Sequence, residues 1–187
     1  MTAQAGPELP EAIWTVGHST RPIDEFLGLL ETYRVEAIAD VRRFPGSRKH
    51  PHYGREALEK TLDAHRIDYV WLPELGGRRQ PLAKSPNTAW HNAAFRGYAD
   101  HMASAEFAHG MDRLLALASR ARTAILCAEA VWWRCHRALI SDALCARGVE
   151  VVHITDAKHA VQHPLTAPAR IVDGRVSYSA PQQQSLI

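Results

Sequence analysis

Hydrophobic and polar residues alternate along the chain in blocks that predict strands and amphipathic helices in turn. Short apolar runs with the composition of buried strands occupy residues 13–16, 36–41, 68–72, 123–128 and 149–154. Between them, apolar residues recur every three or four positions over 21–34, 55–65, 105–120 and 135–147, the period of a helix with one buried face. Strands that alternate with helices in this way predict a mainly parallel sheet with helices on both faces.

Local signals complete this prediction of a three-layer α/β sandwich with about five strands. Thr20 and Ser104 are the expected N-caps of the first and third helices. Asp173 and Gly174 predict a small C-terminal β-hairpin that turns at this pair. Residues 80–95 are irregular, and a loop of that length is expected to act as a lid or binding loop.

Composition is typical of a soluble globular protein. The 187 residues, 46% hydrophobic and 22% charged, are enough for one domain with a full core. No apolar stretch is long enough to cross a membrane, and the first residues lack the basic and apolar regions of a signal peptide, so a cytoplasmic protein with no membrane partner is expected. The predicted organisation is a flexible arm at 1–11, a single α/β domain at 12–180 and a frayed tail at 181–187.

Residues able to do chemistry follow the carboxyl ends of the predicted strands. These ends share one edge of a parallel sheet, which is where such folds bind ligands. The candidate catalytic residues are Cys127, Glu129, Cys135 and His136. The candidate anion-binding residues are His18, Ser19, Arg42, Arg43, Arg78 and Arg137. The net charge is only +2, so this local concentration of cations predicts a substrate that carries phosphate, carboxylate or another anion.

The three cysteines differ in their surroundings. An odd number of cysteines predicts reduced thiols and no disulfide framework. Cys135 stands at the start of a helix, where free N–H groups and the positive end of the helix dipole favour a thiolate. Cys127 ends an apolar run and fits a packed core position as well as a reactive one. Cys145, in the middle of a helix, is expected to be structural.

The cations also have structural interpretations. Arg42 and Arg137 fit buried ion pairs with Asp40 or Glu129 as well as they fit anion binding. His18 fits a hydrogen bond to a carbonyl group. The convergence of these residues on one predicted edge is what favours a site.

Six motifs occur in a characteristic order. They are G-H-S-T at 17–20, D-V-R-R-F-P-G-S-R at 40–48, L-P-E-L-G-G-R at 72–78, F-R-G-Y-A-D-H-M at 95–102, C-A-E at 127–129 and C-H-R at 135–137. With these motifs, the chain from about residue 13 to 178 resembles domain-of-unknown-function family 488. The family has no settled activity, so the resemblance implies a fold and the position of a site but no reaction.

The marked positions of that family correspond to His18, Ser19, Asp40, Arg42, Cys127, Glu129, Cys135, His136 and Arg137. One departure concerns the loop between C-A-E and C-H-R, which many members fill with acidic or polar residues. Here it reads A-V-W-W-R at 130–134, and this bulkier loop is expected to narrow the pocket or to change its substrate.

The favoured hypothesis is a thiol-dependent enzyme, a hydrolase or a transferase, that acts on an anionic small molecule or a nucleotide. Cys127 or Cys135 would be the nucleophile, Glu129 or His136 would move the proton, and arginines would bind the anion. The loop differs from phosphatase and sulfurtransferase loops, which place five residues between the cysteine and the arginine, so neither activity is assigned.

Two other functions remain open. A metal site for zinc or iron would use Cys127, Cys135 and His136, with His18 or His153 as a further ligand, although C-x7-C-H lacks the short C-x2-C chelate. A non-catalytic module would bind a nucleotide or a nucleic acid along an arginine edge. That edge consists of Arg42, Arg43, Arg48, Lys49, Arg78 and Arg79.

Overall fold

The computed structural model of the chain describes residues 9–46 and 48–180. Its central sheet has six strands, which are in chain order β1 Ala12–Gly17, β2 Ala37–Asp40, β3 Asp68–Trp71, β4 Thr123–Cys127, β5 Glu150–Ile154 and β6 Ala160–Gln162. Their spatial order across the sheet is β3-β2-β4-β1-β5-β6. The first five pair in parallel and β6 is antiparallel. The predicted α/β fold is therefore confirmed, with an added edge strand.

α-Helices cover both faces of this sheet. In the described residues they are α1 Ile23–Thr32, α2 Arg55–Ala64, α3 Ala93–His101, α4 Ala105–Ala118 and α5 Arg137–Cys145. On one face, Phe26 of α1 and Leu62 of α2 pack in a cluster with strand residues such as Ile38. On the other, Leu139 of α5 packs in a second cluster around Ile125 with residues of α3 and α4. These two apolar cores give the three predicted layers.

Local chemistry explains where several elements begin and end. Ser104 caps α4, because its side-chain oxygen accepts a hydrogen bond from the N–H of Phe107. The predicted cap at Thr20 is wrong: α1 begins after Pro22, whose ring presets the backbone for helix entry. The C-terminal hairpin is confirmed as β7 Arg170–Val172 and β8 Arg175–Ser177. Its two-residue turn has positive φ at both positions, as a twisted hairpin requires.

Helix α3 begins in the last three residues of the segment expected to be irregular and continues to His101, where no helix was predicted. Its pattern is obscured by Gly97, where a side chain would lie 2.4 Å from the carbonyl oxygen of Arg79. It is also obscured by Asp100, a buried polar residue that accepts hydrogen bonds from the N–H of Leu82 and the hydroxyl of Ser85. The helix therefore anchors the preceding loop through a polar residue, which no apolar period reveals.

The sheet begins with β1 at Ala12, and the division of the chain into arm, domain and tail stays a prediction. Most of the predicted arm, residues 1–8, and the predicted tail, 181–187, lie outside the described residues. No helix in the described part of the chain is both long and apolar enough to cross a membrane.

Candidate functional site

A strand end and a helix start bring two thiols together at the carboxyl edge of the sheet. Cys127 is the last residue of β4, and Cys135 follows a short 3-10 turn, Trp132–Arg134, two residues before the start of α5 at Arg137. The loop between them packs tightly on the end of β1, because a side chain on Gly17 would lie 1.9 Å from the carbonyl oxygen of Glu129. Only glycine permits this approach.

The two thiols and one imidazole form a compact cluster. Sulfur atoms of Cys127 and Cys135 and a ring nitrogen of His136 all lie within 4.8 Å of one another. His136 Nδ1 is 3.6 Å from Cys135 Sγ, and His136 Nε2 is 3.1 Å from the carbonyl oxygen of Val41. A carbonyl can only accept, so Nε2 carries a proton, and Nδ1 is the nitrogen that can take the proton of the Cys135 thiol and then donate to the thiolate.

The two thiols have opposite pKa shifts. Burial by itself raises the pKa of Cys135, but the hydrogen bond from Cys127 and the adjacent His136 and Arg137 outweigh it and lower that pKa well below the usual range. The pKa of Cys127 is raised, because its proton is held in the hydrogen bond to Cys135 and because the thiol is buried. The pair thus favours a thiolate at Cys135 with Cys127 as its hydrogen-bond donor.

These groups line a pocket of about 350 Å³. Its wall consists of Arg42, Arg43, Phe44, Gly46, Gly77, Arg78, Ala94, Phe95, Tyr98, Cys127, Ala128, Glu129, Arg134, Cys135 and His136. All four predicted catalytic residues are therefore brought together, along with three of the six predicted anion-binding residues. A pocket of this size accommodates a small molecule.

Most of the positive charge in the pocket is free to bind a ligand. Arg43, Arg78 and Arg134 are exposed and form no ion pair with a carboxylate among the described residues. Arg42 differs, because its Nε and Nη2 donate to Asp40 and its Nη1 donates to the carbonyl oxygen of Tyr53 and to His18. Its guanidinium is largely committed to the protein and shapes the pocket wall.

Three predicted binding residues lie behind or beside the pocket. His18 Nδ1 donates to the carbonyl of Ser19, and its Nε2 accepts from Arg42, so neither nitrogen of a neutral ring is free and His18 does not join the thiol cluster. Ser19 lines a separate shallow surface depression. Arg137 is buried, and its Nη2 donates to the carbonyl oxygen of Glu129. These residues hold the site in place.

The backbone of the G-H-S-T motif also supports the site. The N–H groups of His18 and Ser19 donate to the carbonyl oxygens of Cys127 and Ala128, both at 3.0 Å. Hydrogen bonds of this kind continue the pairing of β1 and β4 past the strand ends. They fix the position from which the Cys127 thiol and the following loop enter the pocket.

Sequence patterns alone did not single out several pocket residues. Arg134 supplies a guanidinium from the 3-10 turn, while neither Trp132 nor Trp133 of the same loop lines the pocket. Trp132 instead stacks on His153, with the rings 4.2 Å apart and nearly parallel. Tyr98 donates to the carbonyl oxygen of Leu75 and packs against the ring of His136. An aromatic residue on a helix, such as Tyr98, carries no chemical signal in the sequence.

The predicted arginine edge is interrupted. Arg79 pairs with Glu106 at 2.8 Å and Arg42 pairs with Asp40, so neither adds a free charge to a continuous stripe. Arg43 and Arg78 of this edge line the pocket, whereas Arg48 and Lys49 do not.

Gly77→Ala tests the packing of His136. A side chain at position 77 would lie 2.8 Å from His136 Nδ1, and it is expected to push the ring away from Cys135 and to slow alkylation of that thiol at pH 7 about tenfold. The control is Gly46→Ala, since Gly46 lines the same pocket and its added carbon meets nothing within 4 Å. Equal alkylation rates in the two variants would contradict the assigned contact.

Comparisons with known proteins give one match. The sequence model of a family described as "Domain of unknown function DUF488" matches residues 22–144, about two-thirds of the chain. Searches against curated proteins and against solved structures found no significant match. The matched segment contains Asp40, Arg42 and the whole thiol cluster. The chain belongs to the DUF488 family.

Proposed function

We propose that this protein is a thiol-dependent enzyme, a hydrolase or transferase, that acts on an anionic substrate of phosphate or nucleotide type. The observation that carries the proposal is the juxtaposition of the Cys135 thiol with three exposed guanidinium groups in one pocket. A thiolate is the reactive form of cysteine, and fixed cations bind an anion and stabilise charge that develops on it. Reduced thiols persist in a reducing compartment, so we place the enzyme in the cytoplasm.

The residues around Cys135 fit distinct roles in such a reaction. The Cys135 sulfur attacks an electrophilic carbon or phosphorus atom of the substrate, and a sulfur–substrate bond forms as the bond to the leaving group breaks. His136 accepts the thiol proton at Nδ1 and returns it to the leaving group. Arg43, Arg78 and Arg134 bind the anionic group.

Glu129 fits the role of general base in the second step, which releases the Cys135 thiolate. It is exposed and lines the pocket, where its carboxylate can take a proton from an acceptor water or alcohol. Attack by that acceptor breaks the sulfur–substrate bond and releases the thiolate. Water as the acceptor gives hydrolysis, and an alcohol gives group transfer.

Selective alkylation tests the reactive thiol. At pH 7, iodoacetamide is expected to modify Cys135 at least tenfold faster than Cys145, because the pKa of Cys135 is lowered whereas burial raises that of Cys145. Between pH 7 and 9 the Cys135 rate should stay flat, while the Cys145 rate rises about tenfold per pH unit until it nears its own pKa. Peptide mass spectrometry measures both sites in one sample.

Substrates can be found by thermal shift with phosphorylated metabolites and nucleotides, followed by turnover assays. Cys135→Ser is expected to abolish turnover and to retain most of the affinity, whereas Arg78→Gln should mainly weaken binding. Equal, slow alkylation of all three cysteines would refute the mechanism. Binding with no turnover, unchanged in Cys135→Ser, would favour the non-catalytic nucleotide-binding alternative.

The same cluster also fits a second candidate, a zinc site. Bond lengths of about 2.3 Å to sulfur and about 2.0 Å to nitrogen, at a tetrahedral angle, place the two ligand atoms about 3.5 Å apart. The observed separation of Cys135 Sγ and His136 Nδ1 is 3.6 Å. The bond from His136 to Val41 is also the carbonyl contact that orients metal-binding imidazoles. Cys127 would be the third ligand and the pocket would leave a fourth position open.

Elemental analysis separates the two candidates. Protein purified without an affinity tag is expected to contain well under one zinc or iron per chain if Cys135 is a free thiolate. Stoichiometric metal that is lost in Cys127→Ser would instead establish the metal site. In that case alkylation of Cys135 should become fast only after chelation.

A further inference from the structure

A buried chain of hydrogen bonds links Arg137, next to the thiols, to Asp142 on the same helix by way of two strands. Arg137 Nη1 is 3.5 Å from Thr15 Oγ1, which lies 2.7 Å from His153 Nδ1. His153 Nε2 is 2.8 Å from His163 Nδ1, and His163 Nε2 is 2.9 Å from Asp142 Oδ1. All five residues are buried.

Asp142, at one end of the chain, only accepts hydrogen bonds. Besides His163, Asp142 accepts hydrogen bonds from the N–H and hydroxyl of Thr166 and from the hydroxyl of Tyr178. A carboxyl group surrounded by donors in this way is a carboxylate. It therefore sets the direction of the first link, with a proton on His163 Nε2.

This direction propagates through the chain. If His163 is neutral, its Nδ1 must accept, so His153 donates from Nε2 and accepts at Nδ1 from the hydroxyl of Thr15. The oxygen of Thr15 then has a lone pair for Arg137. Every proton that joins two members of the chain has an acceptor, and the chain runs from a cation to an anion.

In the opposite polarity, His163 would donate to His153 and His153 would donate to Thr15, and one hydrogen-bonding group would be left without a partner. This polarity would place a proton on His153 Nδ1, and the hydroxyl hydrogen of Thr15 would then lack an acceptor among the described residues. Burial, the neighbouring His163 and the charge of Arg137 lower the pKa of His153 to about 3, so this ring is neutral in either polarity.

Arg137 has no carboxylate as a direct partner among the described residues, so hydrogen bonds alone fix its position. Within the described residues no carboxylate lies within ion-pair distance of it, and its Nε has no hydrogen-bond partner. Its Nη2 donates to the carbonyl oxygens of Glu129 and Ala130. Arg137 thus holds the loop that carries Glu129, and its charge favours the thiolate of Cys135.

We propose that Asp142, His163, His153 and Thr15 are positioning residues that hold Arg137 behind the thiols and act through it. Thr15, His153 and His163 lie outside the segment that matches the family. The functional consequence rests on the proposed thiol chemistry, whereas the polarity of the chain does not. The two can therefore fail separately.

Thr15→Val and Thr15→Ser form the matched test. Valine keeps the shape of threonine and removes the hydroxyl, so Arg137 and His153 both lose a partner; serine keeps the hydroxyl. Thr15→Val is expected to slow iodoacetamide alkylation of Cys135 at pH 7 about tenfold relative to Cys145, and Thr15→Ser should stay within about twofold of the parent protein. Circular dichroism verifies that both variants are folded.

Asp142→Asn tests the end of the chain that is far from the thiols, because the two possible roles of Asp142 predict opposite changes in the rate of Cys135 alkylation. If Asp142 acted only as a nearby negative charge, its removal would stabilise the thiolate and speed alkylation. If it anchors Arg137 through the chain, alkylation slows as in Thr15→Val. Faster or unchanged alkylation in the folded Asn variant, or a folded Thr15→Val protein with the parent rate, would overturn the positioning role.

Nitrogen NMR of the histidine rings measures which ring nitrogen carries each proton, and therefore the direction of the hydrogen bonds in the chain. In the parent protein, both His153 and His163 are expected to carry a proton on Nε2 and none on Nδ1. A proton on Nδ1 of either ring would overturn the chain even if Cys135 proves reactive. Conversely, an unreactive Cys135 combined with the expected ring protons would refute the thiol mechanism and leave the chain established.

Discussion

Asp40→Asn is expected to lower the free energy of unfolding by about 3–5 kcal/mol, because it leaves a buried guanidinium without its counter-charge. The Asp40 side chain is fully buried and that of Arg42 is 7% exposed. Burial would lower the pKa of Arg42, but the hydrogen bonds and charge of Asp40 outweigh that effect and raise it. The hydroxyl of Tyr69 also donates to Asp40. Urea unfolding at pH 7 measures the loss.

Glu25→Gln is the matched control for this ion pair. Glu25 pairs with Arg21 at 3.2 Å on the surface of α1, with a side chain that is 58% exposed, so its loss should cost less than about 1 kcal/mol. Adding Arg42→Met to Asp40→Asn should recover part of the stability, since no unpaired charge remains. A cost for Asp40→Asn no larger than that of the control would show that Arg42 is compensated elsewhere.

This pair illustrates how far the sequence specifies the site. The meeting of Cys127 and Cys135 was predictable, because a strand end and the following helix start must share one edge of a parallel sheet. The sequence also offered Asp40 or Glu129 as ion-pair partners for the arginines, and the Arg42–Asp40 pair is confirmed. A pair between Arg137 and the Glu129 carboxylate is not found, because Arg137 donates to the backbone carbonyl of Glu129 and reaches Thr15 of β1. That choice depends on side-chain rotamers that no spacing encodes.

The fold shows the same division. The apolar strands and α4 were predictable from periodicity, because their buried faces are continuous. The α3 helix was not predictable, because two of its buried positions are not apolar. Asp100 is buried because its carboxylate accepts hydrogen bonds, and position 97 is glycine because a side chain there would clash with the backbone of Arg79. The short strand β6 was missed too, because its residues Ala160–Gln162 are exposed and pair only along one edge.

Lowering the pH from 7 to 5 is expected to reduce the free energy of unfolding by about 3–4 kcal/mol through two buried histidines. Burial and the charge of Arg42 lower the pKa of His18 from 6.5 to about 4. Burial, His163 and Arg137 lower that of His153 to about 3. Between these values and 6.5 the unfolded chain binds protons that the folded protein excludes, so acid favours unfolding.

His18→Gln should remove about half of this pH dependence, because glutamine does not titrate in either state. Most carboxylates titrate below pH 5, so the interval from 5 to 7 mainly isolates the histidines. The exposed His65 provides the control, and His65→Gln should leave the pH dependence of the unfolding free energy unchanged. If instead His18→Gln retained the full loss, His18 would have to be protonated in the folded protein. Its Nε2 could then no longer accept from Arg42, and the arrangement that holds the pocket wall would have to differ from the one described.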